Sequence, residues 1–67
     1  MTPFVVGTRD DVAGFALVGI EGAVCATREE AERAIAQVPK ETLLLVSHEL
    51  AAALPRERLG VVLAART

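Results

Sequence analysis

The sequence has no tryptophan, no tyrosine, two phenylalanines, one cysteine and one histidine in 67 residues. Each scarcity removes a class of function. Without aromatic side chains to stack on bases there is no platform for a nucleic-acid single strand. Seven basic residues scattered among nine acidic ones, net charge −2, leave no clustered cations to displace counterions from a duplex either. Cys25 alone cannot close an internal disulfide, which makes a cytoplasmic setting the default. One cysteine and one histidine, Cys25 and His48, are too few for a zinc site. No apolar run approaches the ~20 residues that span a bilayer, so no direct membrane insertion is expected. Met1-Thr2-Pro3 lacks the basic region that opens a signal peptide.

What is present suits one folded domain over residues 1–67. Hydrophobic residues make up 52% and charged residues 24%, too apolar for a disordered chain. With so few aromatics the core has to be built from Val, Leu, Ile and Ala, near the lower size limit for an unaided core. A thin core of this kind points to a partner or to self-association.

Four short apolar runs read as strands: Phe4-Val5-Val6 ending at Gly7, Ala23-Val24-Cys25-Ala26, Leu43-Leu44-Leu45-Val46 and Val61-Val62-Leu63-Ala64. All are continuous, not alternating, as in parallel strands covered on both faces. Between them lie three helical stretches. The first is capped by Asp10 or Asp11, turns Val12, Phe15 and one of Leu17 or Val18 inward, tolerates Gly14 at a cost of ~1 kcal/mol, and stops at Gly19. The second opens on the capping box Thr27-Arg28-Glu29-Glu30, continues with the stripe Ala31, Ala34, Ile35, Val38, and closes at Pro39. Glu29 and Arg33 stand one turn apart on its outer face. The third starts at Ser47 or His48 and runs through Leu54, with Pro55 to Leu59 as a separate turn. The order β-α-β-α-β-α-β predicts an α/β domain: an open parallel sheet of four strands with helices on both faces, one edge left bare after the fourth strand.

Ligands of such sheets sit at the carboxyl ends of the strands. After the first strand come Gly7-Thr8-Arg9-Asp10-Asp11, with one glycine where a dinucleotide fingerprint has three. Two aspartates also stand where phosphate would need positive partners. No Walker loop exists. A receiver domain would need an aspartate at the end of the third strand, and that position holds Val46-Ser47-His48. Asp10 and Asp11 therefore read as helix-capping residues. His48 reads as a surface histidine in a first turn, and Cys25 as a buried inert thiol. Pro55-Arg56-Glu57-Arg58 reads as a solvated turn, or in a second reading as a partner contact, because Arg is enriched at interfaces. No catalytic, cofactor-binding or metal-binding residue is expected, and no cofactor.

The stretch from Phe4 to Ile20 resembles the opening of the F subunit of V/A-type (vacuolar/archaeal-type) rotary ATPases and ATP synthases. An apolar strand, Gly7, an acidic turn containing Asp10, and then Gly14-Phe15-Ala16-Leu17-Val18-Gly19-Ile20 match that family's Gly-Phe-x-Leu-x-Gly core in order and spacing. The capped helix from Thr27 and the passage from the third strand into Ser47-His48-Glu49-Leu50-Ala51 resemble the elements that follow. Thr8 stands where the family commonly has an acid. Family members continue into a C-terminal helix that lies against an elongated D subunit, whereas this sequence ends at Ala64-Ala65-Arg66-Thr67, which implies a shortened form.

The resemblance implies a flavodoxin-like domain and a non-catalytic, structural or regulatory component of the central stalk on the cytoplasmic side of the membrane. It would act through contacts with other ATPase subunits, the D-like stalk subunit among them, in a complex that transports protons or sodium ions. Two alternatives stay open. One is a free-standing homodimeric interaction module of the same fold; the other is a small-ligand or enzyme role at the strand ends.

Overall fold

The computed structural model describes residues 2–58 and 60–64. Elements follow the expected order: β1 Pro3–Gly7, α1 Arg9–Ala16, β2 Glu21–Val24, α2 Arg28–Gln37, β3 Leu43–Val46, the 3₁₀-helix η1 His48–Ala53, and β4 Gly60–Val62. The four strands are parallel in the order β2-β1-β3-β4. No described helix is long and apolar enough to cross a membrane.

β1 is central, flanked by β2 and β3, and its consecutive residues Val5 and Val6 are both fully buried. Only a strand covered on both faces buries neighbours in this way, because successive side chains point to opposite sides. Val6, Leu44 and Val46 face α2 and η1, where they meet Ala31, Ile35, Leu50 and Ala53 in one cluster, with Phe4, Ala23 and Leu54 packed against it. Val5 faces the other way, under α1, which contacts β1 and β2. On that side the register aligns Leu45 with Val61, and both keep part of their surface in solvent. Helices thus cover both faces, two on one and one on the other.

Several boundaries differ from the expectation. β2 is Glu21–Val24, two residues earlier than the run Ala23 to Ala26, because it is an edge strand whose first residues, Glu21 and Gly22, pair with Phe4 and Val5. Cys25 follows the strand, buried, with its N–H on the Gly7 carbonyl at 2.9 Å. β4 begins at Gly60, a residue before the expected run, and the Leu63 N–H still reaches the Val46 carbonyl at 2.7 Å. The N-cap of α1 is Thr8, not Asp10 or Asp11: its hydroxyl accepts the Asp11 N–H at 3.4 Å. Val12 and Phe15 are half-buried, no residue of α1 is fully buried, and α1 ends at Ala16, so Leu17 (88% exposed) and Val18 (72%) point into water.

α2 carries the capping box in full, and Ala31 and Ile35 are its buried anchors. The ion pair described on its surface is Arg28–Glu32 at 3.1 Å, one position ahead of the expected Glu29 and Arg33. The third helix is a 3₁₀-helix, shorter than the expected run. Leu59, and Ala65 to Thr67 at the end of the chain, lie outside the described residues.

Candidate functional site

The chain leaves β1 to form β2 on one side and crosses back to place β3 on the other. The switch point of this sheet is therefore the crevice between the carboxyl ends of β1 and β3. The loops Gly7-Thr8 and Ser47-His48 line it. Space there is short: a Cβ on Gly7 would lie 3.0 Å from the Ser47 Cβ and 3.2 Å from both the Asp11 Cβ and Oδ2. Glycine suits this position for close approach, not for an unusual dihedral: a side chain would need Ser47 and Asp11 to give way slightly. The Thr8 hydroxyl donates to Asp11 Oδ2 at 3.1 Å, so the first turn of α1 is occupied by its own side chains. Ser47 is 1% exposed, its N–H bonds the Val6 carbonyl at 2.9 Å, and its hydroxyl has no partner among the described residues.

This crevice is poorly made for an anion. The acids Asp10 and Asp11 stand in the first turn of α1, where a phosphate would sit on the helix terminus. His48 and Asp10 are exposed and Cys25 is buried, so the residues weighed for chemistry are separated by burial as well as by sequence. Among the described residues no cluster of three or more His, Cys, Asp or Glu is arranged to hold a metal ion. Burial pushes the Cys25 thiol above its ordinary value of 9.0, and the nearby Glu30 carboxylate pushes it further. A thiol so held is a weak nucleophile.

The Gly-Phe-x-Leu-x-Gly motif turns out to be a chain reversal. The Gly19 N–H returns to the Ala16 carbonyl at 3.0 Å and the Ile20 N–H to the Phe15 carbonyl at 3.1 Å, the bond pair of a Schellman closure. Gly19 has φ +86°, the left-handed conformation this closure needs. Phe15 is half-buried, beside the chain that leaves toward β2. Gly14 has open space around it: a Cβ added there would meet nothing within 4 Å. Of the motif residues, Gly7 sits at the crevice and Asp10 on its rim, while Phe15, Leu17 and Gly19 gather at the opposite, amino end of the strands. The motif therefore spans two ends of the sheet and does not converge on one site.

An open groove of about 760 Å³ lies at that amino end, bordered in part by Phe4, Ile20, Ala23, Ala34, Val38 and Pro39. Its walls are mixed: these apolar side chains stand beside Thr2, Glu21, Gln37 and Thr42. Leu17 and Val18 project into water nearby in sequence. Sequence reasoning missed Arg58. Arg56 and Glu57 are exposed as a solvated turn should be, but Arg58 is half-buried and donates to two carbonyls of the α2 region. No local pattern announces that reach, since its partners lie 23 and 19 residues away.

Residues 4–64 match the family described as the ATP synthase (F/14-kDa) subunit. No curated protein and no solved structure matches the chain.

Proposed function

The chain belongs to the family of the ATP synthase (F/14-kDa) subunit, that is, the F subunits of V/A-type enzymes, and from that premise we propose that it is a non-catalytic component of a rotary ATPase, working through contacts with the other subunits. In this reading a D-like central-stalk subunit is its immediate neighbour, the complex moves protons or sodium ions, and the catalytic sites lie on other chains on the cytoplasmic side of the membrane. The observation that carries it is the extent of the family match, which runs from β1 past β4 and so takes in every element of the sheet. Surface chemistry supports it: Leu17 and Val18 stand largely in water at the end of α1, where an isolated domain gains nothing from them.

The test is co-purification of the tagged full chain with V/A-type subunits, and then ATP hydrolysis measured with and without it. Association that weakens when Leu17 and Val18 are both changed to Ser supports the reading. A chain recovered free of those subunits would sink it.

A homodimeric interaction module is the second reading, favoured by β4. Val61 and Val62 are about half exposed on an edge strand that carries neither charge nor proline, the devices that usually blunt an edge. Sedimentation at increasing concentration decides it, and a constant monomer mass removes it.

A further inference from the structure

Arg58 ties the last part of the described fold to the rest. Its Nη1 donates to the Ile35 carbonyl at 3.2 Å and its Nη2 to the Pro39 carbonyl at 2.9 Å. α2 has no basic residue in its last turn; the Ile35 carbonyl already accepts the Val38 N–H and the Pro39 carbonyl the Thr42 N–H, so each takes Arg58 as a second donor. The guanidinium adds the positive charge that a helix C-terminus favours, while its Nε is buried with no partner among the described residues. These bonds reach across 23 and 19 residues, whereas the capping bonds of α1 and α2 reach across three or four.

Around that tie the attachment is slight. η1 starts without a side-chain cap, on a serine whose buried hydroxyl is unpartnered. β4 aligns only three residues with β3, and its valines keep about half of their surface in water. Leu50 and Ala53 are the buried anchors of η1. β2, the opposite edge, aligns four residues with β1 and is followed by the fully capped α2.

We propose that η1, the Pro55–Arg58 turn and β4 form one flap, latched by Arg58, that lifts from β3 as a unit while the β2-β1-β3 sheet stays folded. Lifting bares the β3 edge from Leu44 to Val46, a row of unpaired backbone groups that accepts a strand. It also removes one donor from the Ile35 carbonyl in the last turn of α2 and one from the Pro39 carbonyl just beyond the helix. The latch therefore couples the β4 side of the sheet to the carboxyl end of α2. A partner that takes hold of one is felt at the other. The flap has this property whichever complex the chain joins.

Native-state hydrogen exchange on the full chain tests it. In the wild type the Leu63 amide, bonded to Val46, exchanges through a smaller opening than the Cys25 amide, bonded to Gly7, and with weaker denaturant dependence. Arg58→Met speeds exchange at Leu63 by roughly 10-fold or more and leaves Cys25 within about twofold. Arg58→Lys falls between, because one ammonium cannot reproduce the fork. Equal acceleration at both amides would show that Arg58 stabilises the whole domain and would overturn the latch, as would an unchanged Leu63. If Arg58→Met does not fold, the wild-type comparison decides alone: identical opening behaviour of Leu63 and Cys25 refutes the flap.

Discussion

α2 and η1 lie on the same face of the sheet and begin alike, with a hydroxyl residue in extended conformation just before the first helical position. Their outcomes diverge. The Thr27 hydroxyl accepts the Glu30 N–H at 3.2 Å, and the Glu30 carboxylate accepts the amides of Ala26 at 2.7 Å and Thr27 at 3.3 Å. Ser47 makes no such bond and is sealed from water. Three residues after Thr27 stands Glu30; three residues after Ser47 stands Leu50, which is buried in the core. A capping box needs a side chain that reaches back, and a leucine committed to packing cannot supply one. One start signal is completed and yields a ten-residue α-helix; the other is interrupted and yields a six-residue 3₁₀-helix.

If that contrast governs stability, the buried anchors of the two elements should weigh differently. Ile35 is 3% exposed in α2 and Leu50 is 5% exposed in η1. Ile35→Ala is expected to cost roughly 3–4 kcal/mol, because the regular helix cannot settle into the cavity. Leu50→Ala should fall nearer ~2 kcal/mol, because a short 3₁₀ segment can shift to fill part of its own void. Urea unfolding of the two variants compares them directly. A larger loss at Leu50 would reverse the ranking and place the rigid half of the fold on the β4 side.

The two strands at the sheet edges offer the same comparison through glycine. A Cβ on Gly22 in β2 would collide with Val5 Cγ1 and lie 2.6 Å from the Val5 carbonyl oxygen, which is backbone and cannot move cheaply. A Cβ on Gly60 in β4 would meet the Leu54 Cδ1 at 2.9 Å and Cδ2 at 3.0 Å, the free end of a flexible side chain, with the Leu44 carbonyl oxygen farther off at 3.2 Å. Gly22→Ala should therefore cost about 3 kcal/mol and Gly60→Ala about 1 kcal/mol or less. Thermal unfolding reads both. A tolerated Gly22→Ala would mean that β2 sits more loosely than its register shows.

Some of this difference is visible in the sequence and the rest is hidden, for physical reasons. β3 is legible to the residue, because four large aliphatic residues in a row have no other sensible place than a covered strand. The α2 capping box is equally plain. β2 is displaced from its apolar run because an edge strand need not be apolar throughout, so Glu21 does not read as a strand residue. Thr8 is easily passed over beside two aspartates, although Thr8-Arg9-Asp10-Asp11 has the spacing of a cap that reaches its third residue. Helical periodicity turns one of Leu17 and Val18 inward, since it cannot tell that the chain reverses one residue earlier. The crevice residues follow from strand order alone. The tight packing of Gly7 against Ser47 and Asp11 is a tertiary fact with no local signature, as is the reach of Arg58.

A smaller effect tests the caps themselves. Thr27→Ala removes a made bond and leaves the Glu30 N–H without its acceptor, at a cost of about 1 kcal/mol. Ser47→Ala removes a buried hydroxyl that has no partner, which should be neutral or stabilising by up to about 1 kcal/mol. Opposite signs in denaturant midpoints are the expected result. A clear loss at Ser47 would show that the hydroxyl is satisfied in solution and would bring the two caps closer together.

The smallest effect joins the capped half to pH. Cys25 sits beside the capping carboxylate of Glu30, and its thiol is raised above the ordinary 9.0 first by burial and then by that charge. An unfolded chain ionises near 9.0 while the folded thiol keeps its proton. The stability that this group contributes is thus fully present below about pH 9 and declines as pH climbs toward the folded value. Denaturation midpoints between about pH 7 and 10 should fall more steeply for the wild type than for Cys25→Ala, which has nothing to titrate there. Glu30→Gln should soften the decline without abolishing it, since burial is the larger cause, although its lost cap lowers the whole curve. Iodoacetamide supplies an independent reading: a buried, protonated Cys25 reacts slowly at about pH 8. Alkylation at the rate of a free thiol would mean that the end of β2 opens readily, and the half of the fold held by the capping box would no longer be the tighter one.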